Sequence, residues 1–482
     1  MNLIQLFDRS LRGRPELIGL EWNGQEYTFG QLERRSNRVA NLLISRGLRK
    51  GDRLAVYLSN RIEFIDLYLA CLKVGVIFLP VNILYRESEI AHIVSDADPA
   101  SVVAGEPIAD VVPFWTLSDI DARKLDTSDE RPAVDLSADD PAMIVYTSGT
   151  TGPAKGVVLS HGNLESNAAH LITAWGISSE DRLLLALPVF HVHGLGNGIH
   201  TWLSEGFRLR LLERFEKETI ADQFLSFHPT LFFGVPTMYV RLLDVDEDSA
   251  RRIGAETRLF VSGSAPLAPD VFAAFREKYG HAILERYGMT ETLMCLSNPL
   301  EGERRPGTVG LPLPGVEARI VDESGGQASS GIGELEVRGP NVFTRYWRQE
   351  DAASKSFDRG WFRTGDLAER SPDGYYTLHG RLREVIVTGG FKIFPREVEE
   401  LVAGIDGVTE VAVVGAPDRV KGEIPVAFIV ARDDLESGEI ETWCRYRLAA
   451  FKVPRMWIRL SSLPRNALGK VQKQQLLARL VP

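Results

Sequence analysis

Hydrophobic residues along the first hundred positions come in short runs that alternate with amphipathic stretches. RLAVYL (53–58) and VIFLPV (76–81) have the length and composition of buried strands. EFIDLYLACLKVG (63–75) and SEIAHIVSD (88–96) have the spacing of helices. This alternation predicts βαβ units and a largely parallel sheet.

The same alternation returns in the middle of the chain. LFFGV (231–235) is predicted to be a strand that leads into a helix near Pro236. RLFVSG (258–263) is predicted to be a strand, and PLAPDVFAAFREKYG (266–280) the helix that follows it. AILERYG (282–288) is predicted to be a further buried strand.

From about residue 310 the pattern changes to short strands separated by Gly and Asp turns, which predicts a small β unit. After GRLREVIVTGG (380–390) the predicted order is helix, strand, strand, helix, strand, helix. We predict an α/β protein with a large N-terminal domain, 1–382, built of α/β subdomains and the small β unit. A smaller α+β domain, 383–482, fits the usual domain size.

Composition and charge narrow the class of protein. The chain has 482 residues, of which 44% are hydrophobic and 25% charged, and its formal charge is 55 − 65 = −10. An acidic balance argues against nucleic acid as the main partner. Three distant cysteines predict buried or neutral thiols rather than disulfides or a zinc site. The N-terminus does not resemble a signal peptide, and no apolar run reaches membrane-spanning length, so a cytoplasmic protein without membrane insertion is expected.

A loop rich in Gly, Thr and Ser, YTSGTTGPAKG (146–156), lies between two apolar runs. Its open backbone N–H groups and hydroxyls suit an anion, and Lys155 adds a point charge for phosphate. The spacing is not that of a Walker A loop, because Gly156 follows the lysine. Such loops are also found as plain turns, but the donor density favours a phosphate site.

Seven segments in this order resemble the signature motifs of the adenylate-forming superfamily, which includes acyl-CoA synthetases, adenylation domains and luciferases. Members usually carry proline where this chain has Ala154. The segments are YTSGTTGPAKGVVLSHGNL, LPVFHVHG (187–194), GSAPL (263–267), ERYGMTET (285–292), GWFRTGDLAE (360–369), GRLREVIVTGGFKIFP (380–395) and PRNALGKVQK (464–473).

The resemblance implies two half-reactions. A carboxylate attacks the α-phosphate of ATP, giving an acyl adenylate and pyrophosphate, and the thiol of CoA then displaces AMP. No enzyme nucleophile is needed, so catalysis is expected to rest on positioning and charge stabilisation. The expected partners are therefore a small carboxylic acid, ATP with Mg²⁺, and CoA.

The resemblance also implies roles for the motif residues around the nucleotide. The residues expected to hold the β- and γ-phosphates are Thr147, Ser148, Gly149, Thr150, Thr151, Gly152 and Lys155, with Thr150 also near the metal. The residues expected beside the adenine are Gly263, Ser264, Ala265, Pro266, Tyr287, Gly288 and Met289, with Tyr287 stacked on the base. Thr290 would contact the α-phosphate, and Glu291 would bind Mg²⁺.

Further roles follow from the motifs in the C-terminal third. Asp366 would take both ribose hydroxyls, assisted by Arg381. Arg383 matches the hinge about which the small domain rotates. Lys470 matches the catalytic lysine that bridges the α-phosphate and the reacting carboxylate. The loop expected to line the tunnel for the pantetheine arm of CoA consists of Gly389, Gly390 and Phe391.

Two arginines predict the kind of acid. Arg286 closes the strand AILER, and in open α/β sheets ligands bind beyond the carboxyl ends of the strands. An apolar acyl tail cannot repay the desolvation of a cation there. Arg241, in GVPTMYVRLL, would complete a fork for a second carboxylate. These segments look like those of malonyl-CoA synthetases, so malonate is predicted, with methylmalonate as a second substrate.

Other interpretations stay open at this point. Arg286 could pair with Glu285, and the protein could then be a medium- or long-chain fatty acyl-CoA or aryl-CoA ligase. It could instead load a carrier-protein thiol, although no carrier domain accompanies it, or bind nucleotides without catalysis. His191 and His193 could suggest a metal pair, but the resemblance makes His191 a catalytic and substrate-contacting wall of the acyl pocket and His193 its neighbour.

Overall fold

The computed structural model describes residues 1–106, 114–147, 154–322, 325–328, 330–465 and 471–480. Its helices are α1 Leu3–Leu11, α2 Phe29–Ser45, α3 Ile62–Val74, α4 Glu87–Ala97, α5 Leu117–Lys124, α6 His161–Trp175, the π-helix η1 His193–His200, α7 Thr201–Glu205, α8 Ile220–Phe227, α9 Pro236–Leu242, α10 Glu247–Glu256, α11 Pro269–Tyr279, α12 Glu350–Ser356, the 3₁₀ helix η2 Leu382–Glu384, α13 Pro395–Ala403, α14 Ser437–Arg447 and α15 Lys473–Ala478.

The strands alternate with these helices in the first half of the chain and outnumber them in the second. They are β1 Ile18–Trp22, β2 Gln25–Thr28, β3 Arg53–Tyr57, β4 Ile77–Pro80, β5 Ser101–Ala104, β6 Phe114–Thr116, β7 Pro141–Thr147, β8 Lys155–Ser160, β9 Arg182–Leu185, β10 Arg208–Leu211, β11 Leu231–Gly234, β12 Leu259–Ser262, β13 Leu284–Met289, β14 Leu293–Ser297, β15 Leu311–Pro312, β16 Glu317–Val321, β17 Gly333–Arg338, β18 Arg345–Tyr346, β19 Phe357–Asp358, β20 Trp361–Arg370, β21 Tyr376–Arg381, β22 Ile386–Thr388, β23 Phe391–Ile393, β24 Val408–Asp418, β25 Gly422–Ala431 and β26 Met456–Arg459.

The chain divides into two compact units, the first of residues 1–318 and 337–362 and the second of residues 319–336 and 363–482. The predicted domain boundary after residue 382 lies inside the second unit. That residues 1–382 and 383–482 are separate domains, the second of them mobile, stays a prediction. None of the helices in the described ranges is long and apolar enough to cross a membrane.

The first unit contains a nine-stranded sheet, β15-β14-β13-β12-β11-β9-β10-β1-β2, and a seven-stranded sheet, β18-β8-β7-β4-β3-β5-β6. The pairs β9/β11, β11/β12 and β12/β13 are parallel, as are β3/β4 and β3/β5. The prediction of βαβ units and a largely parallel sheet is therefore confirmed. Buried aromatic rings from β11, β12 and α11, among them Phe232, Phe260 and Phe275, pack into one core.

The second unit follows the predicted order after residue 394, which is α13, β24, β25, α14, β26 and α15. Its five-stranded sheet has the order β23-β22-β25-β24, with β26 beside β25. The predicted short strands before residue 382 are also present, as β16, β17 and β21. Cys71, Cys295 and Cys444 are all buried.

Candidate active site

Arg286 lies in the middle of β13, which pairs with β12 in parallel, and the arginine is only 3% exposed. The guanidinium passes against Gly263, directly after β12. A Cβ atom on Gly263 would lie 2.5 Å from Cζ of Arg286. Any side chain at position 263 would therefore displace the guanidinium of Arg286, so Gly263 lets the arginine adopt this position.

The guanidinium of Arg286 is a buried cation without an acidic partner in the described ranges. Its Nε and Nη2 atoms are buried, and neither has a hydrogen-bond partner among the residues that the structure describes. Burial lowers its pKa to about 9, against small opposing effects of Cys295 and Tyr239. The group is therefore still charged at neutral pH. The sequence left open a pair between Arg286 and Glu285, and this pair is not found among the described contacts.

Two histidines surround this cation in their neutral form. Burial, and after it the charge of Arg286, lowers the pKa of His191 to about 4 and that of His193 well below its usual value. The backbone N–H of His193 donates to Nδ1 of His191 at 3.1 Å, and Nδ1 of His193 lies 3.0 Å from Oγ of Ser264. Because neither ring is charged, Arg286 carries the only charge among these three side chains.

The segment that carries His193 forms a π-helix, His193–His200, which the sequence analysis did not predict. Short π-helical segments recur at functional sites. Gly196 is buried, yet a Cβ atom on it would meet no atom within 4 Å. Both amide atoms of Asn197 are buried without a hydrogen-bond partner in the described part of the chain. The three glycines of HGLGNGIH, at alternate positions, were the available signal for an irregular helix.

Arg241 lies on the exposed face of α9. It lines a surface groove together with Arg214, Phe215, Glu216, Lys217 and Glu218. The side of α9 that is turned toward Arg286 carries Tyr239, which is fully buried and whose hydroxyl donates to the carbonyl of Val261 at 2.7 Å. Residues two apart on a helix point in nearly opposite directions, so the structure does not bring the two arginines of the predicted fork together.

The remaining residues of ERYGMTET form the end of β13 and the tight turn into β14. Tyr287, Thr290 and Glu291 are each less than 9% exposed. A Cβ atom on Gly288 would lie 2.0 Å from the carbonyl oxygen of Leu293, so the hairpin requires glycine there. The N–H of Met289 donates to Oγ1 of Thr292 at 3.3 Å, which holds the turn.

The loop after β12 presents the other predicted adenine-side residues. Ser264 has a positive φ of 69°, which is uncommon for a residue other than glycine. Ser264, Ala265 and Pro266 are all exposed. Since β12 and β13 are neighbours, this loop and the end of β13 lie at the same edge of the sheet.

The two ends of the predicted phosphate loop are fixed by the hairpin of β7 and β8, in which Thr147 pairs with Lys155. Ser148, Gly149, Thr150, Thr151 and Gly152 lie outside the described residues. Nζ of Lys155 is 5.3 Å from the centre of the Tyr346 ring, and the Tyr346 hydroxyl donates to Oε1 of Glu291 at 3.2 Å. Tyr346, which the sequence analysis missed, therefore connects the lysine to the predicted metal ligand.

A separate polar cluster lies in the second unit. Asp366 of β20 faces Arg381 of β21 across the sheet, and Nε of Arg381 is 2.7 Å from Oδ1 of Asp366. The Asp366 residue is 6% exposed, and its N–H donates to Oγ1 of Thr364. Burial, followed by the charge of Arg381, lowers the pKa of the Arg383 guanidinium. The predicted ribose residues and the predicted hinge are thus neighbours.

The predicted tunnel loop is the exposed turn between β22 and β23. Gly389 and Gly390 have φ angles of 56° and 86°, so both positions favour glycine. Phe391 is 57% exposed and stacks on Phe451 with ring centres 4.6 Å apart. Lys470 lies outside the described residues.

Comparison with known proteins gives the same class as the fold and the motifs. The AMP-binding enzyme family matches residues 7–347, and the family of the AMP-binding enzyme C-terminal domain matches residues 397–470. The chain is an ATP-dependent, AMP-forming acyl-CoA synthetase, an enzyme class that uses CoA as co-substrate and usually Mg²⁺. It belongs to the AMP-binding enzyme family.

The similar proteins differ in the acid that their names specify. A mitochondrial malonate–CoA ligase from Xenopus laevis is 34% identical, over 100% of this chain and 93% of its own. A long-chain-fatty-acid–CoA ligase from Mycobacterium tuberculosis is 31% identical, over 92% of each chain. ATP-bound MatB from Rhodopseudomonas palustris has a TM-score of 0.94 and 37% identity, with 99% of both chains covered. Membership of the family therefore does not determine which acid this enzyme activates.

Proposed function

We propose that this enzyme is a malonate–CoA ligase. In the first half-reaction a malonate carboxylate oxygen attacks the α-phosphate of ATP, forming malonyl-adenylate and releasing pyrophosphate. In the second, the sulfur of CoA attacks the acyl carbon and AMP leaves, giving malonyl-CoA. The choice of acid rests on the buried guanidinium of Arg286, whose Nε and Nη2 atoms have no hydrogen-bond partner among the described residues.

The cost of desolvating Arg286 favours an acid with a second carboxylate. A charge taken out of water costs several kcal/mol unless a partner of opposite charge compensates it. The apolar part of a fatty acid or an aryl acid has no acceptor for the Nε and Nη2 atoms of Arg286, which lack a partner in the described part of the chain. The second carboxylate of malonate can accept hydrogen bonds from a guanidinium in a forked geometry, which is the strong form of this pairing.

The neutral histidines support the same conclusion. His191 and His193 add hydrogen-bonding capacity beside Arg286 without adding charge. One cation thus faces the one carboxylate that remains after the other has reacted. Arg241 is not placed beside this cation, and its part in substrate binding stays a prediction.

For the nucleotide, we assign the phosphate-binding role to residues 147–152 and Lys155, and the adenine-side role to Gly263–Pro266 and Tyr287–Met289. Thr290 is assigned to the α-phosphate, and Asp366 with Arg381 to the ribose. These roles rest on the motif resemblance, supported by the shared sheet edge of the two adenine-side segments and by the 2.7 Å pairing of Arg381 with Asp366.

The residues present fit Mg²⁺ bound mainly through the substrate. No group of three or more His, Cys, Asp or Glu side chains within the described ranges could form a protein cage for a metal. Mg²⁺ is usually held by one or two carboxylates together with substrate phosphates, and Glu291 supplies one such carboxylate, oriented by the Tyr346 hydroxyl. When bound, the ion neutralises charge on the phosphates of ATP.

In the C-terminal part, Lys470 is assigned the bridging of the α-phosphate and the reacting carboxylate during adenylation. Arg383 is assigned to the hinge, and the Gly389–Phe391 loop to the pantetheine tunnel. The positive φ angles at both glycines support a loop whose backbone can be approached closely.

Methylmalonate is the second candidate substrate, and Gly196 favours it. This glycine belongs to the same π-helix as His193 and is buried, with open space where a side chain would begin. A pocket wall with such space can admit a methyl group at C2 of the acid.

The test is a panel of acids assayed by pyrophosphate release in the presence of ATP, Mg²⁺ and CoA. Malonate should give the highest kcat/KM, followed by methylmalonate, with propionate, octanoate and benzoate far behind. A strong preference for octanoate or benzoate would refute the assignment in favour of the fatty acyl or aryl alternative. Replacing CoA with a carrier protein bearing a pantetheine thiol tests the loading alternative in the same assay. The cytoplasmic location remains a prediction.

A further inference from the structure

The described residues that flank Lys470 in the sequence are in contact with one another. Arg465 and Val471 form an isolated antiparallel bridge. The N–H of Gln472 donates to the carbonyl of Pro464 at 2.8 Å. The second of the two flanking stretches, Val471 and Gln472, leads directly into α15.

Lys473, the first residue of α15, binds two carboxylates from different elements. Its Nζ is 2.8 Å from Oε1 of Glu399 in α13 and 3.1 Å from Oε2 of Glu384 in η2. The lysine side chain is 19% exposed. Although burial by itself favours the neutral amine, Glu399 and Glu384 outweigh it and raise the pKa of Lys473. The ammonium is charged and doubly paired.

The position of Glu384 gives this contact its significance, because it immediately follows Arg383, the assigned hinge. Glu399 is itself fixed, since its Oε1 accepts the N–H of Val413 in β24 at 2.7 Å. Lys473 therefore connects the start of α15 both to α13, through Glu399, and to the residue after the hinge, through Glu384.

We propose that Lys473 is a positioning residue for Lys470. Its two ion pairs tie the start of α15, three residues after Lys470, to the chain that follows the hinge, so that a change of angle at Arg383 is transmitted to the chain next to Lys470. The inference rests on the proposed function, in which Lys470 acts in adenylation. A displacement of about 1 Å at a reacting group can cost on the order of a hundredfold in rate. Loss of the Lys473 ion pairs should therefore slow adenylation and leave thioester formation largely unchanged.

A purely structural lysine would behave differently. If the ion pairs only stabilised the second unit, their loss would lower the melting temperature and reduce both half-reactions alike. Lys452 provides a matched control, because its Nζ pairs with Oε2 of Glu397 at 2.8 Å in the same unit but far in sequence from Lys470 and the hinge.

The experiment compares full-length Lys473→Gln, Lys473→Arg and Lys452→Gln with the wild type. Adenylation is followed by malonate-dependent exchange of pyrophosphate into ATP, and thioester formation by supplying malonyl-adenylate and CoA. For Lys473→Gln we expect adenylation kcat to fall by about tenfold or more, with KM values and the thioester step changed little. Lys473→Arg should recover most of the loss, and Lys452→Gln should match the wild type in both steps.

Equal losses in both half-reactions, or wild-type adenylation by Lys473→Gln, would overturn the proposal. If Lys473→Gln does not fold, Glu384→Gln decides in its place: it keeps the pair with Glu399, and it should slow adenylation while sparing the thioester step. Lys470→Ala separates the two levels of inference. If Lys470→Ala adenylates normally, the assigned role of Lys470 is wrong. If Lys470→Ala cannot adenylate but Lys473→Gln adenylates normally, only the positioning role of Lys473 is wrong.

Discussion

Replacing Arg286 with methionine removes the charge that we propose binds the acid, while retaining a long side chain. The guanidinium is buried, lies against Gly263 and has two nitrogen atoms without described partners. In the complex with malonate it would face the distal carboxylate. The substitution therefore leaves that carboxylate in a largely dry pocket without its counter-ion.

The size of the effect follows from the burial of the pair. Truncating one partner of a buried, hydrogen-bonded charge pair costs roughly 2–5 kcal/mol. At about 1.4 kcal/mol per tenfold, kcat/KM for malonate should fall by about thirtyfold to a few thousandfold. Propionate has no distal charge, so its kcat/KM should stay the same or rise.

Stability should change in the opposite direction. Replacing buried charged groups with apolar ones of similar volume is often stabilising by about 1–4 kcal/mol, so Arg286→Met should unfold at a higher temperature than the wild type without substrate. Saturating malonate should raise the melting temperature of the wild type and leave that of the variant nearly unchanged. Pyrophosphate release and thermal unfolding are both measured on the same preparations.

The reasoning would be refuted by equal losses toward malonate and propionate, or by a lower melting temperature accompanying a general loss of activity. Either result would make Arg286 a structural residue. Arg286→Lys is the conservative control. It keeps a cation but loses the forked donor geometry, so its malonate activity should lie between those of the wild type and the methionine variant.

Four further predictions concern other parts of the protein. Lys470→Ala should abolish adenylation but form thioester from supplied malonyl-adenylate and CoA; equal loss of both steps would contradict its role. Gly196→Val should reduce kcat/KM for methylmalonate more than for malonate, and an unchanged ratio would place the open space outside the acyl pocket. Glu291→Gln should raise the Mg²⁺ concentration for half-maximal rate by about tenfold or more, with a smaller rise for Tyr346→Phe, and an unshifted Mg²⁺ titration would exclude the carboxylate as a ligand. Burial lowers the pKa of His161 to about 4, below an unfolded value of about 6.5. Protonation of this residue should therefore lower the unfolding free energy by about 2 kcal/mol between pH 7 and pH 5. In urea unfolding experiments, His161→Gln should make the unfolding free energy depend less on pH over that range.

Much of the fold was determined by local pattern. Strands such as 53–58 and helices such as 63–75 are visible because a buried strand and a buried helix leave different periodicities in the sequence. The glycines at 389 and 390 and the hairpin of ERYGMTET likewise follow from residues that are adjacent in the chain. The class of enzyme follows from motifs of the same kind, since each motif is a contiguous segment.

The tertiary structure decided what depends on residues far apart in sequence. The lack of described partners for two nitrogen atoms of Arg286, its packing against Gly263 and the neutral state of His191 arise only when β9, β11, β12 and β13 assemble into one sheet and exclude water. Two arginines that both fitted a dicarboxylate in the sequence proved to differ, because α9 directs Tyr239 inward and leaves Arg241 exposed. Side-chain direction and desolvation are properties of packing, and for that reason no local pattern contains them.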